Sequence, residues 1–412
     1  LKGKIYRDQN GDRACEFYYR YAHDLHLLHH LGIRNFRFSL SWPRILPQGV
    51  IQTNSAGIDF YNRVIDTCLK LGIEPWVTLY HWDLPQALQA RGGWTNRDIL
   101  NWFEEYLTIC VRNFGDRVRY WMVLNEPMVY TGAGHFLGVH APGLKGLKNF
   151  LPAIHHATLC QGIGGQLIRS ELSSAIIGST FSCSYLQPAS NNERDVQATH
   201  RLDALLNRLF LEPALGLGYP VEDLAVLKRL ESYMLQSDEQ KMVFDFDFIG
   251  IQNYTREIVK YNFWVPFIKA DLMKAADRNV PVSAMGWEIY PESIYHMLKK
   301  YHRYNIKSLI ITENGLALSD EPTAGTIDDQ IRIEYIGQIL RQVLRAQQEG
   351  VPVHGYFYWT FMDNFEWAEG YYPRFGLVYN HRLKQERMVK QSGHWWQKFL
   401  QETVAHHGRY LQ

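Results

Sequence analysis

Seven runs rich in β-branched and aromatic residues recur along the chain, each separated from the next by a longer amphipathic stretch. They lie at 35–42, 75–82, 120–126, 174–181, 247–254, 308–313 and 353–361. Most positions in them are apolar, the pattern of strands covered on both faces in a parallel sheet. Helical patterns fill 13–31, 57–71, 97–115, 151–170, 193–210, 291–304 and 328–349, the last ending at Gly350. No Pro/Ser-rich linker, repeat or heptad interrupts the alternation. Residues 1–412 therefore read as a single α/β domain.

A doubly wound sheet and a closed barrel both satisfy that alternation. What separates them is where the polar letters fall. His81-Trp82, Asn125-Glu126, Asn253-Tyr254 and Glu313-Asn314 all stand at the carboxyl ends of different runs. A barrel gathers such ends around one mouth, whereas an open sheet spreads them along a line. No GxGxxG follows a strand and no P-loop is present, so the nucleotide-binding alternatives lack their signature. The expected fold is a (β/α)8 TIM barrel. Seven runs are one short of eight, so the first strand is expected to be missing from this chain.

Charge and composition exclude whole classes of function. Lys+Arg is 43 and Asp+Glu is 42, so no basic field attracts nucleic acid or an anionic membrane. No apolar run approaches the ~20 residues that span a bilayer, and Leu1 to Asp12 is too polar for a signal peptide. The five cysteines are scattered and form no CxxC, as expected of reduced thiols in the cytoplasm. Four histidines crowd the first helix (His23, His26, His29, His30), and His155-His156 and His406-His407 form pairs. No Cys or Glu joins them at ligand spacing, so no metal and no cofactor is expected. Aromatic residues make up 14% of the chain, which suits sugar faces as well as a core.

Glu126 and Glu313 each close a buried run and precede a turn, at Pro127 and at Asn314-Gly315. They are two of 42 acidic residues and could be ordinary strand ends. Burying a carboxylate is costly, however, and a pair at one barrel mouth is the minimum apparatus for glycoside hydrolysis.

The surrounding letters carry a resemblance. Leu124-Asn125-Glu126-Pro127 and Ile311-Thr312-Glu313-Asn314-Gly315 resemble the two signature segments of family 1 glycoside hydrolases, the β-glucosidase family. The likeness continues in order through Phe36-Arg37-Phe38-Ser39, Tyr80-His81-Trp82-Asp83-Leu84-Pro85, Arg91-Gly92-Gly93-Trp94 and Asp363-Asn364-Phe365-Glu366-Trp367. It covers essentially the whole chain.

The resemblance implies a retaining mechanism, with Glu126 as general acid/base and Glu313 as nucleophile about 5–5.5 Å apart. It makes Arg37 the guanidinium beside the nucleophile and Tyr254 the hydroxyl that bonds it, and it assigns the sugar 2-OH to Asn125. His81, Trp82, Trp359, Glu366 and Trp367 match residues around the nonreducing sugar, with Trp359 as its floor. Trp287, with the segment 256–284 and its Phe263, Trp264 and Phe267, is expected to wall the leaving group or to form a packed lid. A carboxylate at Glu366 would repel a 6-phosphate, so unphosphorylated sugar is implied. Glu126 disfavours the thioglucosidase branch, which lacks that acid.

Three departures from the family stand out. Gln252-Asn253-Tyr254 replaces the usual Asn-Tyr-Tyr, and Ser182 stands where an asparagine follows the fifth strand. The likeness begins only at Gly3-Lys4-Ile5, downstream of the first strand and of the glutamine that grips the 3- and 4-hydroxyls. The natural protein is therefore expected to carry an N-terminal strand and loop missing here. A strand-wide gap should separate 35–42 from 353–361, with one wall of the sugar site open.

The implied activity is a retaining β-glycosidase, a β-glucosidase acting on unphosphorylated terminal β-D-glucosyl residues with galactosyl or fucosyl tolerance. The alternative is a catalytically impaired sugar-binding or receptor-like protein on the same fold. The implied partner is a small-molecule or oligosaccharide β-glycoside, with no nucleic acid and no membrane, and homo-oligomerisation is left open.

Overall fold

The computed structural model describes residues 3–323 and 325–410, the side chains of 404–410 excepted, so His406 and His407 lie outside the described side chains. The strands are β1 (Asn35–Ser39), β2 (Glu74–Tyr80), β3 (Tyr120–Asn125), β4 (Ile176–Ser182) and β5 (Tyr185–Pro188). β6 (Phe248–Gln252), β7 (Arg256–Tyr261), β8 (Ala270–Met273), β9 (Leu309–Asn314) and β10 (Val353–Tyr358) follow. Seven of them form one parallel sheet in the order β1-β2-β3-β4-β6-β9-β10. These are the seven runs expected from the sequence.

The sheet curls into a nearly closed TIM barrel with one seam. Among the described residues no ladder joins β1 to β10. A cavity of about 270 Å³ lies there, lined by Asn35, Phe36 and Arg37 on one side and by Tyr356 and Tyr358 on the other. The strand-wide gap expected from the count is present. Burial follows it: β2, β3, β4, β6 and β9 are buried at almost every position, while β1 and β10 are mostly half-buried.

Inside the barrel Trp76, Met122, Phe248 and Ile310 pack together. Trp76 stacks on Tyr120 at 3.8 Å and meets Phe357 of β10 edge-on at 5.1 Å. This aromatic plug reaches the far rim of the seam without backbone pairing, so side-chain burial supports β10 where a ladder does not.

The helices Phe17–His30, Ser55–Lys70, Ile99–Phe114, Leu147–Glu171, Glu292–His302 and Gln330–Gln348 fall where periodicity placed them. The pattern at 193–210 is interrupted: an α-helix ends at Asp203 and a π-helical turn covers Ala204–Arg208. Among the elements outside those expected, a helix and a small sheet bear on the site. A helix over Gln391–Tyr410 sets Trp396 about 6 Å from Tyr356 and Tyr358 of β10. A small sheet joins β5, β7 and β8. Part of the expected leaving-group wall is thus the β7–β8 hairpin, with Trp264 85% exposed near its turn.

Among the described residues no helix is long and apolar enough to cross a membrane, and no group of three His, Cys, Asp or Glu is placed to hold a metal ion. His26 and His29 instead bond the backbone carbonyls of Ala22 and Leu71 through Nδ1.

Candidate active site

Parallel strands wound one way deliver their carboxyl ends to one mouth, and the polar letters found there in sequence converge in space. Glu313, near the end of β9, is 4% exposed. Its Oε1 accepts from Arg37 Nη1 at 2.6 Å, and its Oε2 accepts from the Tyr254 hydroxyl at 2.8 Å. Burial leaves its pKa above the usual carboxylate value, and the Arg37 charge and these hydrogen bonds only limit the rise.

Glu126, just after β3, is 9% exposed and sits in a different environment. Burial and the neighbouring charge of Glu313 push its pKa well above the ordinary range, with Arg37 a weaker opposing influence and no hydrogen bond holding its charged form. Two carboxyl groups whose surroundings separate their proton affinities can serve as an acid and a nucleophile at one pH.

Asn125 ties the two sides of the mouth together. Its Oδ1 accepts from Arg37 Nη2, from Gln252 Nε2 at 2.8 Å and from Thr180 Oγ1 at 3.0 Å. Its Nδ2 lies 3.2 Å from His81 Nε2. Burial, aided by the Arg37 charge, pushes His81 down to about 3. The imidazole is therefore neutral near pH 7, and Nε2 accepts from the amide. Trp82 donates Nε1–H to the Asn125 carbonyl oxygen at 2.9 Å.

His81, Trp82, Trp359 and Trp367 gather at the mouth. The His81 ring lies 6.0 Å from Trp359 and 6.4 Å from Trp367, and Trp82 lies 5.1 Å from Trp367. Arg37, His81, Trp359, Glu366 and Trp367 line one cleft of about 380 Å³. The same cleft shares Phe36, Arg37 and Trp359 with the cavity at the seam. Burial and the charge of Glu313 push Glu366 up to about 8. Trp287 stands apart, its ring 5.3 Å from Tyr254 and 6.3 Å from Phe375. Phe263, Trp264 and Phe267 do not line the cleft.

Several of these residues also sit on strained backbone. Trp82, Glu126 and Trp367 all have left-handed backbones, with φ of 82°, 45° and 46°. Each costs on the order of 1–3 kcal/mol and persists only where the surroundings fix it. Gly315 closes the approach of β9 to the Trp359 loop, because a Cβ there would collide with the Trp359 carbonyl oxygen.

Thr180 and Gln252 both bond Asn125; Thr180 carries no motif mark in the sequence, and Gln252 stands out there only as a departure from the family's Asn-Tyr-Tyr. The available signal was a polar letter inside an apolar run, and Thr180 sits opposite Asn125 in the β3–β4 register. Asn253 turns away, bonding the Cys183 and Thr255 carbonyls and the Ser293 hydroxyl. Ser182 lies in register with Gln252 at the end of β4.

A parallel barrel with two buried carboxyl groups and an aromatic-lined cleft at its mouth has the layout of a barrel glycosidase. Residues 1–404 match the sequence model of Glycosyl hydrolase family 1, and the chain belongs to that family. It is 42% identical over 407 residues to a 1,4-beta-D-glucan glucohydrolase of Thermotoga neapolitana, covering 97% of this chain and 90% of that one. It is 34% identical to a bifunctional beta-D-glucosidase/beta-D-fucosidase of Bifidobacterium breve, covering 98% and 91%. A solved beta-glucosidase from Thermotoga maritima in complex with deoxynojirimycin superposes with a TM-score of 0.93 at 42% identity, covering 97% and 90%.

Proposed function

We propose that the protein is a retaining β-glucosidase that hydrolyses unphosphorylated terminal β-D-glucosyl residues, with residues 1–412 acting as one catalytic domain. One observation carries the assignment of roles: Glu313 is held by Arg37 and Tyr254, whereas Glu126 is buried beside it with its proton affinity raised. The Glu313 carboxylate attacks the anomeric carbon while Glu126 gives its proton to the departing oxygen, and the C1–O bond breaks. The glycosyl ester removes the charge of Glu313, so the proton affinity of Glu126 falls. Glu126 then takes a proton from water, whose oxygen bonds C1 as the ester breaks and Glu313 leaves as carboxylate.

Asn125, with its Oδ1 fully engaged, keeps an N–H for the sugar 2-OH. His81, Trp82, Trp359, Glu366 and Trp367 hold the nonreducing sugar, and Trp287 faces the leaving group. The names of the relatives support glucosyl substrates and tolerance of fucosyl ones. Galactosyl tolerance is part of the same reading. A purely sugar-binding role would leave the Arg37–Glu313–Tyr254 arrangement without a use. The free thiols of all five cysteines support work in the cytoplasm. This chemistry needs no cofactor, metal, nucleic acid or membrane, and homo-oligomerisation is compatible with it.

Incubation with a 2-deoxy-2-fluoro β-glucoside bearing a good leaving group tests the reading. Fluorine slows both steps and the leaving group rescues only the first, so the ester should accumulate on Glu313. A label found on another residue, or no label with no turnover of aryl β-glucosides, would overturn the assignment.

A further inference from the structure

The wall away from the seam contains a buried ion cluster that the proposed steps do not use. Glu288 is 4% exposed, and both its oxygens face guanidinium groups. Arg256 grips it in a fork, Nη2 at 2.7 Å from Oε1 and Nε at 2.9 Å from Oε2. Arg278 Nη1 lies 2.8 Å from Oε2. Arg256 is itself fixed, donating to Gln187 Oε1 at 2.8 Å and lying 3.9 Å over the Tyr290 ring. The Glu288 carbonyl accepts from Thr255 Oγ1 at 2.9 Å. Burial opposes the charge of Glu288, but hydrogen bonds from the two arginines prevail and hold its pKa below the usual value.

A desolvated pair of this kind contributes little net stability, and its best use is to fix one conformation. Its neighbours in sequence say which one. Glu288 directly follows Trp287, and Arg256 lies two residues after Tyr254. The fork therefore pins backbone 254–256 against backbone 287–288. Trp287 sits on Tyr254 at 5.3 Å, and Tyr254 donates to Glu313. The turn leading into Trp287 bonds itself through Ser283 N to the Trp287 carbonyl, and reaches its surroundings through Ala284 N to Ala317 O. Neither contact orients the indole.

We propose that Glu288, clamped by Arg256 and Arg278, is a positioning residue that sets the Trp287 indole against Tyr254 and so makes the site selective for large leaving groups. This deepens the glycosidase reading and rests on it. The test compares a substrate whose leaving group reaches the wall with one whose leaving group does not: cellobiose against β-D-glucosyl fluoride. In Glu288→Gln, kcat/KM for cellobiose should fall about tenfold, mainly through KM, because a small misplacement of a positioning group is enough for such a loss. Glucosyl fluoride should change less than twofold. Arg256→Lys, which keeps the charge and loses the fork, should give the same split more weakly and guards against a poorly folded Gln variant.

In a Trp287→Ala background the Glu288→Gln effect on cellobiose should vanish, since the clamp then has no indole to orient. Equal losses on both substrates, no loss on either, or a Glu288 effect that persists without Trp287 would overturn the proposal. Failure of the unmodified protein to hydrolyse glucosyl fluoride would instead remove the glycosidase reading, a result separable from all of these.

Discussion

The arc from β2 to β9 and the seam between β1 and β10 use strands of similar sequence and behave differently. Along the arc each strand has two parallel neighbours and is buried nearly throughout. At the seam β1 and β10 each have one neighbour and are half-buried, with a cavity of about 270 Å³ between them. The site is divided between the two regions. Glu126 and Glu313 stand on the arc, where pairing on both sides fixes each strand end. Arg37 rises from β1 and Trp359 follows β10, so the guanidinium beside Glu313 and the proposed sugar floor stand on the seam's rims. An unpaired strand edge is a local weakness, since each lost backbone bond costs about 1–3 kcal/mol when buried. On the proposed reading, the arc carries both carboxyl groups and part of the sugar site, while the seam supplies the sugar floor and the charge beside Glu313.

The largest expected effect sharpens the arc's side of that division. Glu126→Ala should lower kcat/KM by about 10²–10⁴ for β-glucosides with poor leaving groups and far less for those with acidic phenols. Azide should restore turnover and give the β-glycosyl azide. Equal losses for both substrate classes, measured with a series of substituted phenyl glucosides, would remove Glu126 as the acid.

A smaller effect is expected at the seam. Arg37→Met removes the cation 2.6 Å from Glu313 and should cost about 10–100-fold in kcat/KM, the worth of one charge-assisted bond. Arg37 lowers the pKa of Glu313, so activity that requires the carboxylate disappears as pH falls through that pKa. Without Arg37 the pKa rises, and the acid limb of the pH profile should move up by about 1–3 pH units. An unmoved limb would mean that the seam does not tune the nucleophile.

The smallest effect leaves the chain unaltered. Amide hydrogens of β1 and β10 should exchange at least about tenfold faster than those of β3 and β4, because opening an edge strand breaks fewer bonds. Mass-spectrometric exchange reads this directly. Equal protection across all seven strands would erase the contrast between arc and seam.

Much of this was legible in the letters. A strand covered on both faces is largely apolar, so seven such runs marked the seven barrel strands, and their number anticipated a gap. Polar residues at their carboxyl ends marked Glu126 and Glu313 as a candidate pair, because placing such groups there is costly without a use, while the family resemblance implied roles for Asn125 and Tyr254. Thr180 escaped and Gln252 showed only as a family departure, since a single polar letter in a strand does not say whether it faces the mouth or the surrounding helices. That depends on register, which only the β3–β4 and β4–β6 pairings supply. The β5–β7–β8 sheet escaped because β5 and β8 are only four residues each and the charged letters Arg256, Glu257 and Lys260 break any apolar run in β7. The Glu288 clamp joins residues 32 apart whose meeting no local pattern encodes. By itself, then, the sequence determined the strands, the barrel class and the identities of the two carboxyl groups, since these follow from local burial and spacing. Tertiary structure alone decided the opposed environments of those groups, the wiring of Asn125 and the placement of Trp287. Proton affinity and side-chain orientation depend on neighbours that folding brings from distant parts of the chain.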